Sequence, residues 1–270
     1  MINRRKLGTL IAVLLAVGLL SASAAPGSAS STLILDKFDE KKTTDITAHT
    51  PNEAPSGSVW FVELGIWEVR MGKAREQSTA PATPSSDYRA LIDAGTADVS
   101  AEVKLKTDPN SDQFWGVVVR HSGPEDWIMA FHDGVGDLIL GKKRPDENRF
   151  GVTVSTSDLT AGGFQELGRV PMDWNTGKKG RTHTITLQIS GDTITVLADG
   201  DPVISAADDD SMTSGIVGIF SRGTGKNQFD KFTVKMNESG GGPLSSPLTV
   251  PDPEEEEDGK SKRGKKDKDD

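Results

Sequence analysis

Between Leu33 and Met236 the apolar residues recur at every second position rather than at the 3.6-residue period of a helix. Val99, Ala101, Val103 and Leu105 alternate with Ser100, Glu102, Lys104 and Lys106. His183, Ile185, Leu187 and Ile189 alternate with Thr182, Thr184, Thr186 and Gln188. Each run describes a strand with one dry and one wet face. Ser190-Gly191-Asp192 then leads into a third run, Thr193–Leu197, a hairpin signal, and Asp199-Gly200-Asp201-Pro202 makes the next reversal. The same reading predicts strands at Trp67–Met71, Tyr88–Asp93, Phe114–Arg120, Trp127–His132, Leu138–Lys142, Phe150–Thr156, Ile216–Phe220 and Phe229–Lys235. Few stretches carry a helical stripe, and no repeat of solenoid period is present. Many short antiparallel strands predict an all-β domain over residues 32–236, either a two-sheet sandwich or a closed barrel.

The two ends follow other rules. Arg4, Arg5 and Lys6 precede an apolar run, Leu10 to Leu20, and Ala22-Ser23-Ala24 is a cleavage pattern. Residues 1–24 therefore read as a signal peptide, with an uncleaved membrane anchor as the alternative. Residues 25–31 form a short linker. Residues 237–253, rich in Gly, Pro and Ser, form a second linker. Residues 254–270 read as a disordered charged tail, because a run of Glu, Lys and Asp buries too little apolar surface to offset its ordering entropy. A solvating tail and a charged tether to a surface are both compatible with that composition. These ends predict a secreted, extracellular protein, in the periplasm or at the cell surface, with no stable membrane insertion once the signal is cut.

Composition narrows the chemistry. The 270-residue chain has no cysteine, which excludes disulfides, thiolate metal sites and thiol nucleophiles. Its formal charge is -9, and losing the signal peptide's three positive charges takes it to -12. That balance argues against a nucleic-acid partner. Gly136 to Lys142 has the glycine spacing of a phosphate-binding loop, but Lys143 stands where a hydroxyl must hold magnesium, and Asp137–Leu140 reads as a strand. No G-x-S-x-G or H-E-x-x-H motif is present.

Several segments, taken in order, carry a family resemblance. They are Asp36-Lys37-Phe38, Trp67-Glu68-Val69-Arg70 with Gly72, Ala97-Asp98-Val99 with Val103, and Trp115 to Arg120. Trp127-Ile128-Met129-Ala130, Ala198-Asp199-Gly200, Gly215 to Ile219 and Phe229 to Val234 complete the series. Together they resemble the laminin-G-like and concanavalin A-like jelly-roll domains of bacterial extracellular proteins. The resemblance implies a two-sheet antiparallel jelly roll. It does not select a function, since such domains serve as lectins, adhesion modules, carbohydrate-binding modules and glycosidases. The β-glucan-cleaving members carry E-x-D-x-x-E on one strand, which places their acids on one face. Here Glu102 is followed at i+2 by Lys104, and Glu63 by Gly65.

Two groups of candidate site residues follow. Asp36 and Asp230 each sit two positions before a Phe, so alternation puts each carboxylate on an apolar register, where it needs a partner. Related jelly rolls place their first and last strands side by side, and several bind a structural calcium there. Asp36, Asp39 and Asp230 would suit such a hard cation, and the alternative is three partly solvated turn-capping carboxylates. On the central strands, packing the bulkier sets inward leaves Arg120 and His132 on one outer surface, which in jelly rolls is often the concave sugar groove. Arg120 and His132 would bind hydroxyls, and Trp127, or else Trp60 or Trp174, would supply an apolar plate. The alternatives are a surface salt bridge for Arg120 and core packing for each Trp.

The expected function is a secreted, non-catalytic module binding a polysaccharide or cell-surface glycan. The alternatives are a structural or adhesion protein with a protein partner, and a glycosidase or lyase with dispersed acids.

Overall fold

The computed structural model describes residues 31–78, 88–106, 114–124, 126–143, 164–172, 174, 181–207, 213–222 and 227–237. The signal peptide, the 25–30 part of its linker, most of the 237–253 linker, the charged tail and the Phe150–Thr156 strand lie outside these residues.

The described chain is an antiparallel two-sheet sandwich. The first sheet contains β1 (Thr32–Asp36), β2 (Thr44–Asp45), β4 (Trp67–Val69), β5 (Ala74–Glu76), β7 (Val99–Lys106), β12 (Thr182–Ser190), β13 (Thr193–Ala198), β14 (Asp201–Ala207) and β16 (Gln228–Met236). Its order is β14-β13-β12-β7-β16-β5-β4-β2, with β1 also paired to β16. The second sheet contains β3 (Phe61–Leu64), β6 (Tyr88–Asp93), β8 (Phe114–Gly123), β9 (Asp126–His132), β10 (Asp137–Lys143), β11 (Phe164–Pro171) and β15 (Ile216–Arg222). Its order is β11-β10-β9-β8-β15-β6-β3. Asp137–Lys143 is a paired strand, so the phosphate-loop spacing there has no loop to form.

The main core lies between the sheets, where the alternating sets meet. Ala101, Val103 and Leu105 of β7 and Ile185, Leu187 and Ile189 of β12 face Val117, Val119, Val217 and Ile219 of the second sheet. A second apolar layer covers the outer face of the second sheet: Leu91, Val118, Trp127, Met129, Phe131, Ile139, Phe164 and Phe220. Both faces of that sheet are therefore buried.

This double burial corrects the expected facing of β9. Trp115, Val117 and Val119 do point inward. In the antiparallel pair they stand opposite His132, Ala130 and Ile128, and directly opposed residues share a face. The smaller set of β9 is thus inside, while Trp127, Met129 and Phe131 lie outside. A Cβ at Gly116 would come 2.1 Å from the Ala130 carbonyl oxygen, so the close approach of β8 and β9 requires a glycine there.

Candidate functional site

Register places three rows of side chains on the outer face of the second sheet. One row runs Phe61, Leu91, Gly218, Val118, Met129, Gly141, Glu166. The next runs Leu64, Arg89, Phe220, Gly116, Phe131, Ile139, Arg169. Trp127 and Lys143 are opposed in the third. The middle of the face is thus apolar and glycine-floored. Phe131 meets Phe114, Phe164 and Phe220 at ring separations of 5.9, 6.3 and 5.8 Å, and Trp127 meets Phe164 at 6.2 Å. These are the separations at which aromatic pairs attract beyond their area. Phe164 lies over Gly141, where a Cβ would come 2.1 Å from its ring.

Charged groups gather at both margins: Arg169 bonds Glu166 and Asp137 at the β10–β11 edge, and a second group lies at the β3 edge. The Arg89 guanidinium lies 5.6 Å from the Trp127 ring, a cation–π distance. Its Nη2 reaches the Pro124 carbonyl at 3.5 Å, and the Trp127 indole N–H donates to the same oxygen at 3.0 Å. Glu63 Oε2 lies 3.0 Å from His121 Nε2 and 2.5 Å from Arg89 Nε. The Arg89 contact is an ion pair with its N–H angled off the oxygen, and Arg89 Nη1 is buried with no hydrogen-bond partner. Burial works to raise the Glu63 carboxyl, but the His121 hydrogen bond and the Arg89 charge outweigh it, holding the carboxyl below its ordinary range.

Beside this cluster, β3 is an edge strand whose chain exposes apolar groups. Phe61 is 39% exposed and Leu64 41%, against 5% for Arg89. Register puts Phe61 opposite Leu91 and Leu64 opposite Arg89, both outer-face positions. A bulge at Glu63 turns its side chain toward the same face. The margin therefore combines an ionised acceptor, buried donors, an indole and two half-exposed apolar side chains.

Of the three residues expected to bind a ligand, only Trp127 belongs to this margin. The common outer surface expected for Arg120 and His132 does not form. Arg120 has φ +49°, which breaks the alternation of β8 at a bulge. Its Nη2 donates to Asp98 Oδ1 at 2.9 Å and to the Gly191 carbonyl at 2.8 Å, clamping one end of the sandwich. His132 faces the interior, stacked on Trp174 at 5.4 Å and near Trp115 at 6.1 Å. His183 stacks on Trp174 as well, at 4.6 Å. Trp127 is itself fully buried under the margin rather than exposed. Trp60 and Trp174 are also buried.

Asp36, Asp39 and Asp230 are each engaged with nitrogen donors. Asp36 is fully buried and bonded to Trp60, His49 and the Phe38 amide. Asp39 accepts from Asn52. Asp230 pairs with Lys73 beyond a bulge that undoes its expected register with Phe232. Among the described residues no three His, Asp or Glu side chains are gathered as a metal would require.

Sequence reasoning missed Glu63, Arg89 and His121. They come from β3, β6 and β8, 58 residues apart at the widest, so spacing carries no trace of them. The one usable signal was the apolar run Val59 to Ile66, interrupted by a single charge at Glu63.

No family model and no curated protein matches the sequence. Solved structures do match the fold. A Bacillus subtilis protein of unknown function, described as galectin-like, aligns at a TM-score of 0.53 and 10% identity, covering 76% of this chain and 96% of that one. A structure reported under endo-acting O-glycanases of the human gut microbiota aligns at a TM-score of 0.50 and 11% identity, covering 77% and 100%. The carbohydrate-binding module CBM66 from Bacillus subtilis aligns at 0.44 and 15% identity, covering 66% and 92%.

The fold is a two-sheet antiparallel jelly roll.

At these identities the likeness concerns architecture. The jelly roll fixes where the outer face of the second sheet lies, and its side chains are this chain's own.

Proposed function

We propose that this exported jelly roll is a non-catalytic binding module for carbohydrate, acting through the margin formed by Phe61, Glu63, Leu64, Arg89, His121 and Trp127. One observation carries the reading: the half-exposed side chains of Phe61 and Leu64 flank the partly exposed, ionised Glu63, which the buried Arg89 holds in place over an indole. Sugar recognition needs that combination. Charge-assisted donors and acceptors take the hydroxyls, and an apolar surface takes the C–H face of the ring. Binding is favoured over hydrolysis by the chemistry of the face. Glycoside cleavage needs two carboxyl groups flanking one bond, one of them able to donate a proton. Glu63 is held ionised, and the two acids at the far edge of the face, Asp137 and Glu166, are both bonded to Arg169.

A glycan array probed with the full chain tests this. Retention on at least one neutral glycan is expected, weakened roughly tenfold or more by Phe61→Ala and by Glu63→Gln, as loss of about 1–2 kcal/mol of contact would give. Arg120→Ala should leave retention unchanged. Retention nowhere, or retention indifferent to both margin substitutions, would refute the proposal.

The exposed Val59 and Ile66 favour a second reading, a protein contact along the β3 edge. Self-association without glycan retention, abolished by Ile66→Lys, would select it.

A further inference from the structure

We infer that the junction between the first and last strands is locked at Asp36 by three N–H donors, and that the domain does not depend on a calcium ion at Asp36, Asp39 and Asp230. The Asp36 carboxylate is fully buried on β1. Its Oδ1 accepts from the Phe38 amide at 2.8 Å and lies 2.9 Å from His49 Nε2. Its Oδ2 accepts from the Trp60 indole at 2.7 Å and lies 3.0 Å from the same His49 nitrogen. Both oxygens thus meet N–H groups from three separate stretches of chain. Calcium takes six to eight oxygen ligands. A cation placed on these oxygens would face the positive ends of three N–H dipoles, so the donor set fits an anion-binding shell and not a metal shell.

The surrounding groups are spent in the same manner. Asn52 donates its amide to Asp39 and accepts the Lys37 N–H at 2.8 Å, tying the loop after β1 to the chain near residue 52. Asp230 is neutralised by Lys73. Glu40 lies 3.4 Å from the other nitrogen of His49.

The shell also explains how β1 is held to the end of the chain. Asp36 stands opposite Phe232 in the β1–β16 register. The indole it orients packs on Phe232 at 5.4 Å and on Phe38 at 6.0 Å. One carboxylate therefore sets the ring that fills the space between the first and last strands. Phe38 reaches that ring with φ +50°, a conformation held by its own amide bond to Asp36.

Thermal melting of the full chain tests this independently of any glycan. The wild type should melt at the same temperature, to within about a degree, in millimolar CaCl2 and in excess EDTA. Trp60→Phe keeps an aromatic ring and removes one donor, and His49→Phe removes another. Each should lower Tm by about 5 °C or more, as loss of a buried partner does in a domain of this size, without creating a calcium response. A calcium-dependent rise of several degrees that Asp36→Asn abolishes would overturn the inference. So would melting of both donor variants at the wild-type temperature. If the variants fail to fold, calorimetric titration of the wild type with CaCl2 decides: no heat of binding supports the donor shell, and binding that Asp39→Asn or Asp230→Asn weakens overturns it.

Discussion

Two buried histidines show how side chains of one type acquire opposite pH behaviour. His132 accepts the Gly134 N–H on Nδ1, which assigns its own proton to Nε2, a buried atom with no partner. Burial is the largest influence on it, with nearby Asp133 opposing and His183 adding, and its pKa falls to about 4. Its folded pKa lies below the unfolded value, so the unfolded chain binds the proton first. The stability linked to His132 is complete above pH 6.5 and is lost as pH falls toward 4, on the order of 3 kcal/mol in all. His49 behaves the other way. Burial opposes its charge, but Asp36 and Glu40 outweigh burial and raise its pKa. Its contribution is complete below the unfolded value and fades as pH rises through the raised one. Melting temperature should therefore decline between pH 6.5 and 4.5 in the wild type, and the slope should flatten in His132→Phe. An unchanged slope would show that His132 does not titrate as its surroundings dictate.

At the scale of elements, β8 and its neighbours show what alternation predicts and where it stops. The predicted run Phe114–Arg120 matches a strand, and its inward set was read correctly. Arg120 ends that regularity. With positive φ and three acceptors around it, it works as a fastener between β8, the start of β7 and the β12–β13 turn. Arg120→Ala should cost about 1–3 kcal/mol, seen as a lower Tm or denaturant midpoint. The neighbouring hairpin is constrained through glycine: Gly141→Ala would drive a methyl into the Phe164 ring and should destabilise by about 1–3 kcal/mol. Facing on β9 was illegible for a physical reason. When both faces of a strand are buried, bulk no longer distinguishes inside from outside, and the partner strand's register decides. The same holds for Asp230, whose face changed because a bulge inserts one residue.

Across the whole molecule, the sandwich joins the two ends of the domain. Ile34 and Phe38 sit in the same core as Val234 and Phe232, although about 200 residues separate them. The first strand is therefore no dispensable extension. Removing residues 32–38 takes away Ile34, Asp36 and Phe38 together and leaves Trp60 without its acceptor. Such a truncation should show no cooperative melt, and a cooperative melt near the wild-type temperature would contradict the account given for β1. Removing a buried core residue of β12 instead, as in Leu187→Ala, should leave a cooperative transition shifted down by about 2–5 kcal/mol.

Local pattern settled a good deal of this architecture. A period of two, with turn residues between runs, is a property of neighbouring residues, so the all-β class, most strands and the apolar register of Asp36 could be read before any coordinates. The candidate site could not. Glu63, Arg89, His121 and Trp127 lie on four strands, and what joins them is the β3-β6-β15-β8-β9 order together with two bulges. Strand order and bulges arise from which surfaces find one another in three dimensions, and the chain carries no local periodicity that encodes either.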